Sequence, residues 1–183
     1  RALSLSKGTI LDIGSGAGSH SLWLQEQGLD VTGIDISEGA ITLSRKRGLK
    51  NAVHSNILEH KDTYDTLLLL MNGTGIFERI SKIDDYLKHL KTLLNKDGQI
   101  LIDGSDIAFM FEDEDGGFWM DTHRDYYGEV TYSMSYKGEQ SSSFDWLYLD
   151  YERLAWYAQK NELNCELILE GDHYEYLAKL TLT

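Results

Sequence analysis

Four consecutive leucines, Leu67-Leu68-Leu69-Leu70, stand inside the apolar stretch Tyr64 to Met71. Successive side chains of a strand point to opposite faces, so an unbroken apolar run needs cover on both. A parallel sheet with helices on each side provides that cover, and the flanking sequence has the matching rhythm. Thr9 to Ile13 reads as a first strand and Ser19 to Gln27 as a helix ended by Gly28. Asp30 to Ile36 reads as a second strand. A helix over Ser37 to Arg47 follows, with Glu38 in its first turn and Gly48 behind its end. Ala52 to Asn56 is a short third strand. After the leucine run, Ile83, Leu87, Leu90 and Leu94 make one helical stripe, and Asp97-Gly98 turns the chain into a fifth strand over Gln99 to Asp103. The pattern predicts an α/β fold with a doubly wound, Rossmann-like sheet, in one domain over residues 1–183.

The later part of the chain is less regular. Val130, Tyr132, Met134 and Tyr136 alternate with polar residues, which predicts one half-buried strand. Phe144 to Asp150 is expected to pair back as a hairpin, and Asp150 to cap a helix reaching about Asn161. Cys165 to Glu170 and Tyr174 to Leu182 are read as two closing strands. Residues 105–149 thus form an insertion after the fifth strand. Trp146, Tyr148 and Trp156 are assigned to the core, and Cys165 to a buried structural thiol.

The first strand runs into Gly14-Ser15-Gly16-Ala17-Gly18. Glycines permit a sharp turn and let backbone amides approach a ligand at a helix N-terminus. Asp35 closes the second strand 21 residues after Gly14, where a carboxylate can accept two ribose hydroxyls. A dinucleotide loop prefers G-x-G-x-x-G, but here the third glycine comes one place early and Ser19 holds its position. Asp12, two residues before Gly14, replaces the apolar side chain usual in that fold. A carboxylate there suits a ligand with an ammonium group, or caps loop amides.

In these residues the chain resembles the class I S-adenosylmethionine-dependent methyltransferases, whose first motif TILDIGSGAG matches throughout. The resemblance implies S-adenosyl-L-methionine as cofactor and a seven-stranded order 3-2-1-4-5-7-6 with the last strand antiparallel. It implies that Gly14, Ser15, Gly16, Ala17 and Gly18, with Asp12, lie against the methionine part. Asp35 would hold the ribose, and Ile36 would lie beside the adenine. Asn56 and Ile57 occupy the place after strand three where the family has an acid near the adenine amine. Met71, Asn72 and Gly73 match the end of strand four, beside the methyl group. Family members have N-terminal helices over the cofactor. This chain starts at Arg1, so a fragment without its N-terminal cap is expected.

Composition narrows the acceptor. The net charge of −13 opposes polyanions, so no nucleic-acid partner is expected. Arg45, Lys46, Arg47 and Lys50 are read as a solvated helix face. The resemblance narrows the acceptor further: the Asn/Asp-Pro-Pro-Tyr/Phe motif that family members acting on amide or adenine nitrogens carry after strand four is absent, and the single cysteine, Cys165, lies too late to match the nucleophile of those acting on pyrimidine C5. A small-molecule acceptor is left as the leading choice, ahead of a protein acceptor, with no membrane partner and a cytoplasmic location. Phe111, Trp119, His123 and Tyr126 fall where the family covers the acceptor; His123, Tyr126 and Tyr127 are the candidates for proton acceptance. The acidic run Glu112 to Asp115 misses the helix-loop-helix calcium spacing, and Asn72 takes the place of one acid of a magnesium site, so no metal is expected. Two other readings compete: a non-catalytic module binding S-adenosylmethionine or S-adenosylhomocysteine, and an NAD(P)-dependent oxidoreductase.

Overall fold

The computed structural model of the chain describes residues 1–113, 115, 117 and 125–183. The first five strands are β1 (Thr9–Ile13), β2 (Asp30–Asp35), β3 (Asn51–His54), β4 (Tyr64–Leu69) and β5 (Leu94–Ser105). Four short strands follow, β6 (Glu129–Tyr132), β7 (Ser135–Tyr136), β8 (Glu139–Gln140) and β9 (Phe144–Leu147), and then β10 (Leu163–Glu170) and β11 (Glu175–Leu182). The helices are α1 (Ala2–Leu5), α2 (Ser19–Glu26), α3 (Glu38–Lys46), α4 (Ile83–Thr92) and α5 (Tyr151–Lys160). Seven strands form one sheet in the order β3-β2-β1-β4-β5-β11-β10. β1 to β5 are mutually parallel, whereas β11 runs antiparallel to both β5 and β10. The expected topology is therefore present.

The leucine run sits where its pattern requires. Leu67 and Leu69 join one core cluster with Leu87 and Leu90 of α4 and Leu154 and Ala158 of α5. Leu68 points the other way, into a cluster with Ile10, Leu24 and Leu101. All three leucines are fully buried, each stabilising the fold by about 1.5–3 kcal/mol relative to exposure. Ser37 caps α3 by accepting from Ala40 N, and Asp150 caps α5 by accepting from Arg153 N.

Three expectations need correction. β5 begins at Leu94, the last residue of the predicted helical stripe, because Leu94 pairs with Tyr64 before the register shifts. The predicted strand through Val130 to Tyr136 breaks into β6 and β7, and of its apolar positions Val130 is half-buried as expected, whereas Met134 and Tyr136 are 60% and 73% exposed. β6 pairs only with β9, in a two-stranded sheet, so alternation there has no second layer to face. Trp156 is exposed, since α5 turns Leu154 and Ala158 inward and Trp156 stands between them on the outer face, under the Lys160 ammonium. The sequence pattern also contained no sign of α1, a single turn whose Leu5 carbonyl accepts from Gln99 Nε2.

Candidate active site

Parallel strands bring their following loops to one edge of a sheet, and here that edge collects the loops after β1, β2, β3 and β4. The first turn is held by Gly14 N and Ser15 N, which both donate to Ile34 O of β2. Gly14, Gly16 and Gly18 have φ of +72°, +55° and +78°, a left-handed path that side chains with a Cβ resist. A Cβ at Gly16 would meet nothing within 4 Å, so the loop faces open space there. Asp35 lies beneath: Oδ2 accepts from Gly16 N at 2.8 Å and Oδ1 from Ser37 N at 2.8 Å. A carboxylate has about four acceptor positions, so one on each oxygen is left for hydroxyl donors. Ala17 contributes its carbonyl to Arg47, whose guanidinium donates at 2.6 Å. Arg47 thus anchors the loop, and Arg45 donates to Ala52 O. These two arginines of the predicted solvated face are tied to backbone carbonyls.

Asp12 is set apart from this surface. Its carboxylate is buried and accepts from Ser21 Oγ at 2.5 Å, tying β1 to the first turn of α2. Burial pushes its pKa up, against the Ser21 hydrogen bond that lowers it. Ile36 and Met71 are the opposite case, apolar side chains left 74% and 76% exposed along the same edge. Asn56 caps the turn Ile57–Glu59 through its side-chain oxygen, which accepts from Leu58 N. Ile57 itself is buried in the core.

The loop after β4 is the most strained part of the site. Met71 and Asn72 take φ of +68° and +60°, left-handed values that cost a residue with a Cβ about 1–3 kcal/mol. Asp103, at the end of neighbouring β5, compensates by accepting from Met71 N at 3.0 Å and Gly73 N at 2.8 Å. Burial raises the Asp103 pKa, and the backbone donors oppose that shift. In the sequence Asp103 reads only as the last residue of the fifth strand; its clamp on the adjacent loop follows from β4–β5 pairing, which no local motif encodes. The loop is also joined to β9, since Asn72 Nδ2 and Thr74 Oγ1 both donate to Leu147 O.

The acceptor-side residues are dispersed. Tyr126 is buried, with its hydroxyl donating to Asp150 at 2.6 Å and accepting from Asp150 N. Its phenol pKa is pushed far up by burial and by that carboxylate. Tyr127 donates to Asp106 at 2.6 Å, and Phe111 meets its ring edge-on. Trp119 and His123 lie outside the described residues, as does Glu114 of the acidic run. His20 is half-buried and lines a cavity of about 350 Å³ with Leu70, Met71, Asp103 and Tyr176. Among the described residues, no three His, Cys, Asp or Glu side chains are grouped to hold a metal ion. Cys165 is half-buried, and burial takes its thiol pKa up to about 11. Also among the described residues, no helix is long and apolar enough to cross a membrane.

The family model described as a methyltransferase domain matches residues 1–165. The chain belongs to the class I S-adenosylmethionine-dependent methyltransferase family. Its fold is similar to that of a methyltransferase from Bacteroides fragilis solved in complex with S-adenosyl-L-homocysteine. The two share 46% identity over all of this chain and 75% of that one, with a TM-score of 0.94. Among curated relatives, a probable cobalt-precorrin-6B C(15)-methyltransferase of Saccharolobus solfataricus is 36% identical over 56% of this chain. A ribosomal RNA small subunit methyltransferase C of Alcanivorax borkumensis is 37% identical over 28% of it. The chain spans 58% and 16% of the lengths of these two relatives. In this structure the glycine loop and Asp35 are joined by the Gly16–Asp35 hydrogen bond.

Proposed function

We propose that this domain binds S-adenosyl-L-methionine at the edge formed by the glycine loop, Asp35 and the β4 loop, and transfers its methyl group to a small-molecule acceptor. The observation that carries the reading is the open space over Gly16 beside a carboxylate with acceptor capacity to spare. The similar Bacteroides fragilis enzyme, solved with S-adenosyl-L-homocysteine, supports the same ligand class. When bound, the cofactor supplies a methyl group already activated by its sulfonium. Asp35 accepts the ribose hydroxyls, while Ile36 and the Asn56-Ile57 backbone flank the adenine. Gly14 to Gly18 and Met71 to Gly73 line the methionine end, and Asp103 keeps the second of these segments in place. Asp12 acts from behind, holding α2 against the loop through Ser21.

Aligning donor and acceptor can lower the barrier by about 7–11 kcal/mol, so such a site needs no nucleophilic side chain of its own, the acceptor atom being the nucleophile that displaces the thioether. A proton acceptor is required only for an acceptor atom protonated at neutral pH. The chain's charge of −13 and the precorrin-directed name of one relative favour a small acceptor over RNA. Calorimetry with S-adenosylhomocysteine and with NAD tests the donor reading; binding of NAD alone would sink it. Incubation with cofactor carrying a labelled methyl group and a metabolite extract tests catalysis. Label in a small product is expected. Tight cofactor binding with no labelled product would favour a sensing module, and label in RNA would overturn the small-molecule assignment.

A further inference from the structure

A second, larger cavity of about 910 Å³ opens on the other side of Tyr176, against the start of α5 and the β10–β11 turn. Ligand sites for small molecules span roughly 300–1,000 Å³, so its size is suitable. The cavity adjoins the smaller one at the donor edge, because Gly171, Glu175 and Tyr176 line both. Its described wall carries six carboxylates, from Asp106, Asp150, Glu152, Glu170, Asp172 and Glu175, and one guanidinium, from Arg153. Arg153 is already engaged: its Nε lies 3.3 Å from Asp150, and its guanidinium sits 4.6 Å over the Tyr126 ring. One pairing leaves five negative charges without a cation in the described wall.

The rest of that wall is aromatic and fixed in place. Tyr127, Tyr151, Tyr174 and Tyr176 present their rings or hydroxyls to it. Tyr174 is stacked on Phe109 at 5.2 Å, Tyr151 meets Tyr176 edge-on at 5.7 Å, and Tyr176 donates to Leu149 O at 2.8 Å. Aromatic faces and carboxylates attract the same kind of group, a cation, one through the ring quadrupole and the other through charge. An anionic ligand would meet repulsion from five carboxylates, and a neutral one would gain from neither term.

Resting on the donor-site reading above, we propose that this cavity receives the cationic group of the methyl acceptor, a small molecule bearing a protonated or quaternary amine. A protonated amine has no free electron pair to attack a methyl group. The cation therefore orients the acceptor, and the methylated atom lies elsewhere on the molecule, on the Met71 side of Tyr176.

The test uses three probes of one skeleton that differ in charge: tyramine (cation), tyrosol (neutral) and 4-hydroxyphenylacetate (anion). Each is titrated calorimetrically into the full chain, with and without S-adenosylhomocysteine. Tyramine is expected to bind at least tenfold more tightly than tyrosol, and the acid not to bind. The triple variant Glu152→Gln, Glu170→Gln, Asp172→Asn, whose residues line only the larger cavity, should reduce the tyramine preference at least threefold while leaving S-adenosylhomocysteine affinity unchanged. Equal binding of the three probes, preference for the acid, or no tyramine binding at millimolar concentration overturns the proposal. Failure of S-adenosylhomocysteine to bind would instead count against the donor reading, since the probe series is also measured without it.

Discussion

β4 and the β6–β9 pair touch the same loop, residues 71–77, from opposite sides, yet they are built on different terms. β4 is paired on both edges and covered on both faces, with Leu67, Leu68 and Leu69 fully buried. β6 and β9 pair only with each other, and the chain running on from β6 leaves Met134 and Tyr136 in solvent. The donor side of the site is therefore mounted on a sealed sheet. The other side is mounted on a ribbon, fastened at a few points. Those points are specific: Asn72 and Thr74 bond to Leu147 O, Arg79 pairs with Asp145, and the Trp146 ring lies flat against Gly75. A ribbon so fastened can vary in sequence at its far end while still meeting the loop after β4 at its near end.

Substitutions that strike one side at a time would break or sharpen this contrast. Leu68→Ala should cost about 2–5 kcal/mol of stability, because a fully buried leucine leaves a cavity that the packed sheet cannot close. Chemical denaturation measures it, and a cost under 1 kcal/mol would mean that the sheet is less tightly sealed than described. Gly75→Ala should cost about 1–3 kcal/mol, since the added Cβ would sit 2.0 Å from the Trp146 ring. With Trp23, Trp119 and Trp156 replaced by phenylalanine, Trp146 fluorescence during unfolding reports that joint, and an unchanged spectrum and midpoint would show that the ribbon yields freely. Asp35→Ala should weaken S-adenosylhomocysteine binding by about 1–3 kcal/mol, as hydrogen bonds to a charged group are lost. Unchanged affinity would remove Asp35 from the site. Tyr136→Ser, at the exposed end of the ribbon, should change stability by less than about 0.5 kcal/mol. A larger loss there would reveal a covering partner for that face.

Much of the donor edge was legible because its parts are local. The glycine loop and the acid of β2 fall within 22 residues, Gly14 to Asp35, and each is tied to a backbone conformation or a strand end. The leucine run and the stripe through Ile83, Leu87 and Leu90 foretold the buried sheet for the same reason, since burial on one or two faces writes a period into the sequence. The acceptor side was not legible in this way. Tyr126 reads as a candidate base in an aromatic stretch, but its hydroxyl is taken up by Asp150, which is 24 residues later. Alternation over Val130 to Tyr136 promised burial that only a second layer could have supplied.

The sequence by itself thus determined the layered α/β architecture, the strand order expected of its family and the left-handed turn after β1. These depend on periodicity and on glycine's access to left-handed backbone, both of which act over short stretches of chain. Only the tertiary structure decided what each charged group does. It withdrew Asp12 behind the loop, set Asp103 to clamp a strained neighbour, drew Arg47 onto Ala17 and gathered the carboxylates of Asp106, Asp150 and Glu175 around one cavity. The role of a charge is set by what lies within a few ångströms of it, and in a crossed sheet those neighbours come from distant parts of the chain.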